Sequence, residues 1–547
     1  MKSRDRRKGR TRGPGRPSEA RGDAAASSTL AASVATRAGV GATEQAAAPV
    51  DFFDRWFLPI AIVILLVAAA LRLPELALNP FHHDEGVNGF FTTNLVREGI
   101  YKYDPANYHG PSLYYFALLS EIVFGLTTEA MRLVPVLFGL LLVGLVFGLR
   151  RHLGSLAVLA AGALLATSPG AIYVSRYFIH ESLLVAFSVA LFVSVVLYLD
   201  RREARYVLAA AVAAALLFAT KETGIITVGV LLIATVVGHY YTQLLAPSPV
   251  PAKSPGWRTA RPRPSLSPGR IPGEHLAGAA VVFLVIYVLL YSSFFTNFPE
   301  GLVDSLATFT IWTQTGEATQ VQPLTKYLEW MIPLDLPILI LGVAGGLWAA
   351  IRAPSRLWVV IGLWAAGITV AYSIIQYKTP WIILNMLLPL ALLGGLVIAE
   401  VWRRRPLRIA APLVLGVAVL ASGYQAIVLN YVHYDDEHYA YVFVHSTRDM
   451  LRLIDEIEAT AERAGTGKET GVVIVSPDYW PLPWYFRDYP RAGFFGQIVE
   501  TEEAMIVANV NQEAELTPAI EGRYRRAGDY NLRPGVDLVL YVRNDIP

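Results

Sequence analysis

The amino-acid sequence predicts an all-α polytopic membrane protein of about eleven transmembrane helices with external juxtamembrane helices, followed by a small extracytoplasmic α/β domain. Three observations predict it. Hydrophobic residues make up 54% of the chain and charged residues only 16%, where a soluble domain carries about a quarter charged. The apolar residues gather in runs of the length that crosses a bilayer. Between those runs, arginine clusters recur on alternate connections, as the positive-inside rule requires of cytoplasmic loops.

Residues 1–50 come first and differ from the rest. They open on MKSRDRRKGRTRGPGRP and continue as an Ala/Ser/Thr-rich segment without large apolar residues. Such a segment reads as a disordered basic tail, not a cleavable signal peptide. Its basic charge holds the N-terminus in the cytoplasm. A specific role at anionic lipid or nucleic acid is the alternative, and no nucleic-acid partner is expected from the rest of the chain.

The transmembrane domain is expected over 51–436. Candidate spans are 57–73, 131–149, 156–174, 183–199, 206–219, 225–243, 276–293, 331–350, 357–375, 380–400 and 409–429. The apolar segment 113–126 is too short to span and reads as re-entrant or interfacial. Charge supports that reading. With 113–126 left external, Arg150-Arg151, Arg201-Arg202-Arg205, the basic linker 246–273, Arg352 with Arg356, and Arg403-Arg404-Arg405-Arg408 all fall on the side of the basic tail. Residues 74–130 then form a first external loop and 294–330 a second.

From 437 to 547 the pattern changes. The stretch 447–463 is amphipathic and helical in period, and the runs 441–445, 471–476, 505–510 and 537–542 are strand-like. That alternation predicts a small α/β domain outside the membrane. It contains no glycine-rich nucleotide fingerprint.

Ionisable groups near membrane depth are functional candidates by default, and here they collect on the external side. The first loop holds His82, His83, Asp84, Glu85, Arg97, Lys102, Asp104 and His109 among Tyr101, Tyr103, Tyr108, Tyr114 and Tyr115. The aromatics suit either an interfacial belt or a sugar-binding wall. Asp84 and Glu85 are adjacent, so on a helix they point apart. One carboxylate suits a general base on an acceptor hydroxyl, the other a hold on the acceptor or a cation. The bland alternative is a solvated acidic loop. His82 and His83, with Asp84, are the candidate ligands for a divalent metal, the one cofactor the loop admits; hydrogen-bonding histidines are the alternative. Arg176, His180 and Glu181 follow at the outer end of one span and the start of the next. Arg176 suits either a bidentate grip on phosphate or interfacial snorkelling. Lys221 and Lys378 lie outside against the charge trend, as membrane anchors or as cations for an anionic lipid head group. The chain has no cysteine, which excludes disulfides and thiolate chemistry.

An Asp-Glu pair soon after the first span resembles the protein O-mannosyltransferase superfamily and its bacterial relatives, including the aminoarabinose transferases of lipid A. So do the turn Tyr108-His109-Gly110-Pro111-Ser112-Leu113-Tyr114-Tyr115, where relatives show Lys-Pro-Pro and aromatics, Ser175-Arg176 with Glu181, and Lys378-Thr379-Pro380-Trp381. The likeness covers roughly residues 55–400. HHDEGVNGFF with YHGPSLYYF is most similar to a subgroup labelled flippase-activity-associated proteins of surface glycosylation loci. The resemblance implies a GT-C fold and inverting sugar transfer from a polyprenyl-phosphate-linked donor to an acceptor protein, lipid or glycan at the outer membrane face. It implies Asp84 as base, Glu85 as its acceptor-side partner, and His109 and Lys378 on the donor phosphate; Arg176 and Lys221, by their charge and external position, are the further candidate phosphate cations. His109 stands where relatives often have lysine. Tyr108, Tyr114, His180 and Glu181 are the expected sugar and acceptor contacts. Two other readings stay open: a flippase or transporter component, against which the absence of an inverted repeat argues, and a non-catalytic membrane scaffold.

Overall fold

The computed structural model describes residues 51–107, 109–245, 270–315, 321–353 and 355–547. The basic tail, most of the linker 246–273, and Tyr108 lie outside the described residues. The chain is a multi-pass membrane protein built mainly of helices. In order, short turns aside, they are α1 (Phe57–Ala70), α2 (His83–Glu98), α3 (Ser112–Phe124), α4 (Thr128–Phe147), α5 (Ser155–Thr167), α6 (Pro169–Ser175), α7 (Glu181–Arg201), α8 (Ala204–Phe218) and α9 (Gly224–Leu244). Then follow α10 (Gly273–Tyr291), α11 (Glu300–Thr315), α12 (Lys326–Arg352), α13 (Arg356–Ile374), α14 (Leu384–Arg403), α15 (Ala410–Ile427), α16 (Asp449–Arg463) and α17 (Glu513–Ile520).

Each of the eleven expected spans contains a helix. Eight are long and apolar enough to cross a membrane, and α5 with α6 makes a further span bent by 63°. Helices α1 and α8 are shorter. The first span stops at Ala70, before the expected 73, because Arg72 turns into the bundle. Its guanidinium donates to the carbonyls of Leu165 (3.0 Å) and Ala166 (2.9 Å) and to Ser175 Oγ (3.1 Å). Helix α3 is apolar and only 13 residues long, with Leu119, Ile122, Val123 and Phe124 exposed. That composition suits the expected membrane-leaning segment. The segment 294–330, expected as a second external loop, contains α11.

Two polar devices hold the broken helices inside the apolar bundle, where every backbone polar group needs a partner. Pro169 ends α5 and starts α6. Ser168 caps α6, accepting from the Ala171 amide at 3.1 Å. Across the bundle, α12 leaves helical geometry at Asp335, between Pro333 and Pro337. The buried Asp335 carboxylate accepts from Ser168 Oγ (2.6 Å), the Gly170 amide (3.1 Å) and Tyr441 Oη (2.7 Å). Pro337 has no N–H to give the carbonyl of Pro333, and Gln425 Nε2 supplies one instead at 3.2 Å. The two helix breaks are thus bonded to each other.

The C-terminal domain is a five-stranded mixed sheet, order β2-β1-β3-β5-β4, with β1 Val472–Ile474, β2 Ala492–Phe494, β3 Met505–Asn509, β4 Tyr524–Arg533 and β5 Val536–Arg543. Strands β2, β1 and β3 are parallel, and β5 is antiparallel to both β3 and β4. Alternate residues face opposite sides. Val472, Ile474, Leu538 and Leu540 pack with Met450, Leu453 and Ile457 of α16, while Val473, Ile506 and Val539 pack with Leu516 and Ile520 of α17. Segment 441–445 was expected as a strand. It is instead an irregular strap, drawn into the bundle by Tyr441 on Asp335 and by Tyr177 Oη on His445 Nδ1 (2.7 Å). Strand β4 was not anticipated, because YRRAGDYNLR is polar, contains a glycine and is broken in register between Arg526 and Gly528.

Asp335→Ala leaves three buried donors without an acceptor, each costing about 1–3 kcal/mol. The expected outcome is a large fall in the thermal unfolding midpoint in detergent, with Asp335→Asn falling less because it keeps one acceptor oxygen.

Candidate active site

The site begins at α2. The chain leaves Pro80 extended, and His82 caps the helix: its Nδ1 accepts from the Asp84 amide (3.1 Å), while Glu85 Oε2 accepts from the His82 amide (2.9 Å). Because Nδ1 is an acceptor, Nε2 carries the proton and donates to the carbonyl of Phe443 at 3.0 Å. Asp84 and Glu85 in the first turn favour the helix dipole.

These neighbours then diverge. Glu85 is fully buried, and its carboxylate takes a bidentate pair from Arg132, Nε to Oε1 at 2.7 Å and Nη2 to Oε2 at 2.6 Å. It also accepts from the Phe178 amide at 2.7 Å. Arg132 spends its remaining donors on the carbonyls of Leu76, Asn79 and Pro80. Glu85 is therefore saturated and does not line the open cavity. Asp84 does.

That cavity has a volume of about 280 Å³. Helix α2 contributes His83, Asp84, Val87 and Asn88; the connections around it contribute Asn107, His109, His180, Glu181, Lys221 and Glu222; Tyr327, Tyr372 and Trp381 close it from the later helices. Two loops meet to build one wall. Gly110 donates to the carbonyl of Thr220 (3.0 Å) and Ser112 to that of Ala219 (2.8 Å). A side chain at Gly110 would put Cβ 2.3 Å from the Ala219 oxygen, so the close approach demands glycine there. This pairing brings His109 to Glu222, Nδ1 to Oε2 at 3.1 Å. Beside it, the Lys221 ammonium pairs with Glu181. Burial works against the charge on Lys221, but the carboxylates of Glu181 and Glu222 outweigh it and hold its pKa above the ordinary lysine value. Burial, with His109 and Lys221 close by, holds His180 well below the ordinary imidazole value. Its Nε2 lies buried with no hydrogen-bond partner among the described residues.

The other expected site residues stand elsewhere. Arg176 does not line the cavity: its guanidinium donates to the carbonyls of Arg72, Pro74 and Glu75 and to Tyr431 Oη, tying down the loop after α1. Lys378 is buried with its ammonium on the carbonyls of Ile375 and Gln322, while its neighbours Tyr377 and Thr379 do face the cavity. Tyr114 is buried behind the wall, stacked on Tyr101, and donates to Asn88 Oδ1 at 3.0 Å. The metal idea for His82 and His83 does not fit. Both ring nitrogens of His82 are committed, and no group of three or more metal-ligating side chains converges among the described residues. His83 does line the cavity; burial lowers its pKa to about 4, with Asp84 opposing and His82 and Arg533 assisting.

Sequence reasoning missed Arg132 as part of the site, and singled out Glu222 only as the neighbour of Lys221. A signal for Arg132 existed: it is a lone arginine near the start of the second span, apart from the arginine clusters.

A family model described as dolichyl-phosphate-mannose-protein mannosyltransferase matches residues 108–250. The structure is similar to ArnT from Cupriavidus metallidurans bound to undecaprenyl phosphate, with TM-score 0.59 and 17% identity, covering 89% of this chain and 97% of that one. It is also similar to the Archaeoglobus fulgidus oligosaccharyltransferase tethered with an acceptor peptide, with TM-score 0.52 and 15% identity, over 90% of this chain and 74% of that one. The oligosaccharyltransferase AglB of the same organism, in complex with an inhibitory peptide and a dolichol-phosphate, gives TM-score 0.51 and 16% identity, over 91% of this chain and 75% of that one. No curated protein matches the chain in sequence.

Removing one partner of a buried ion pair costs about 3–5 kcal/mol. Glu85→Ala is therefore expected to lower the unfolding midpoint sharply in a detergent melt, whereas Asp84→Asn, at a cavity wall, leaves it nearly unchanged.

Proposed function

From the GT-C glycosyltransferase fold that this chain adopts, we propose that it transfers a sugar from a polyprenyl-phosphate donor to an acceptor hydroxyl at the outer membrane face, with inversion. The observation that carries this is that Asp84 shares one cavity with the His109, His180 and Lys221 cluster, while its neighbour Glu85 is fixed by Arg132. One carboxylate is thereby left open to substrate on a helix anchored at its first turn. The arginine clusters support a cytoplasmic N-terminus and an extracytoplasmic cavity and C-terminal domain.

The acceptor hydroxyl attacks the anomeric carbon from the face opposite the phosphate, and Asp84 takes its proton. The bond to the phosphate oxygen breaks, and its electron pair leaves with the phosphate. Lys221 and His109 stabilise the charge that develops there. Lys221, the one lysine of the cavity lining, is paired with Glu181, and His109 with Glu222, so the phosphate takes the His109–Lys221 end by competing with those carboxylates for the two donors. Arg176 and Lys378, committed to backbone carbonyls, maintain the frame. The neutral donor-rich wall of Asn88, Asn107 and Tyr372 suits sugar hydroxyls.

Transfer is measured in membranes supplied with a labelled polyprenyl-phosphate hexose. Asp84→Asn is expected to lose about 10²–10⁴-fold in rate with normal folding; full activity in that variant sinks the assignment. His109→Ala weakens donor binding, and His109→Lys, which supplies a donor and a positive charge at the same place, retains it; the check is polyprenyl-phosphate affinity.

A further inference from the structure

The C-terminal domain is not a separate attachment: its 480–488 segment rests directly on α2. A Cβ at Gly86 would lie 2.5 Å from Pro481 Cβ, and one at Gly89 would lie 2.7 Å from the Trp484 ring. The buried Trp484 stacks on Phe81 at 4.6 Å between centroids. Tyr485 Oη accepts from the Phe81 amide at 2.9 Å. Arg533 of β4 reaches the carbonyl of Trp480 (3.1 Å) and Asp478 (2.7 Å), with His83 Nδ1 at 3.5 Å. On the other side, Glu85 is held by Arg132, and Asn88 Nδ2 donates to the carbonyl of Phe178 at 2.9 Å. The helical period sorts these contacts. Residue 85 faces the bundle, 86 and 89 face the C-terminal domain, 84 and 87 face the cavity, and 88 lies where the bundle side meets the cavity.

We propose that the C-terminal domain is a working part of the active site, with Trp484, Tyr485 and Arg533 as positioning residues that clamp the outer side of α2 and so set where Asp84 stands in the cavity. This rests on the reading of Asp84 as the base. A helix gripped on two of its three sides points its third side reproducibly. Without the domain, α2 keeps only the Glu85 and Asn88 attachments and gains freedom to roll. The glycines at 86 and 89 let the clamp approach to backbone distance.

The chain has no cysteine, so a nitroxide on Val87→Cys reports α2 alone. In that background we expect Trp484→Ala to raise label mobility, Tyr485→Phe to raise it less, and Trp484→Phe to leave it low. Leu516→Ala, buried on the far side of the sheet, serves as the control for general loosening of the domain and leaves the label unchanged. Without the label, Trp484→Ala is expected to lower kcat by about 10²-fold, the scale of a misplacement near 1 Å, with polyprenyl-phosphate affinity within about twofold of the parent. An immobile label in both Trp484→Ala and Tyr485→Phe overturns the proposal; so does a mobile label with unchanged kcat. Should Trp484→Ala fail to fold, Tyr485→Phe, which deletes one hydroxyl and creates little cavity, decides the matter by the same two readouts. An active Asp84→Asn variant together with a loosened label would remove the base assignment and leave the mechanical clamp standing.

Discussion

The site depends on the buried ion pair between Glu85 and Arg132. Taking two charges out of water is costly, and the attraction between them offsets that cost only when geometry and hydrogen bonding are complete. Here they are nearly complete. Glu85 accepts from Arg132, Phe178 and His82, and Arg132 spreads its remaining donors over three carbonyls of the 76–80 segment. The pair thereby fixes the start of α2, the loop before it, the turn at Phe178 and the first turns of α4 relative to one another. Asp84, one residue earlier and about 100° around the helix, inherits that rigidity without spending its own carboxylate.

The same test separates the remaining intramembrane and interfacial charges. Arg72, Arg176, Asp335 and Lys378 are all buried and all bonded to backbone groups or hydroxyls. They occur where a helix stops or breaks, and they repair what the break exposes. Asp84, His83, His109, His180, Glu181, Lys221 and Glu222 instead converge on a cavity from four separate stretches of the chain. Rarity of charge in an apolar chain marks both classes equally; only the partners distinguish a brace from a reactive group.

The C-terminal domain extends this logic outward. Its sheet packs between two helices like a small soluble domain, yet its 480–488 segment and the strap at 441–445 enter the membrane unit. Tyr441 reaches Asp335, His445 reaches Tyr177, and Trp484 reaches Phe81. Helix α2 thus lies between two bodies that fold by different rules: one buries small residues and polar braces in the bilayer, the other an alternating sheet in water.

Composition and the spacing of apolar runs determined the membrane class, the positions of the apolar helices and the change of character near 437, because these follow from local hydropathy and charge placement. Motif likeness pointed to Asp84 and to the loops that carry His109 and Glu181, and charge placement pointed to Lys221. Roles for individual charges were not legible. Glu85 and Asp84 are equivalent as letters, and Arg176 and Lys378 have the chemistry of phosphate ligands. Only the tertiary structure decided that Glu85 meets Arg132 47 residues away, that Arg176 closes on the 72–75 carbonyls, and that the strand-like 441–445 becomes a strap. Partner choice is a long-range property: it depends on which groups the bundle brings within about 3 Å, and no local pattern records that.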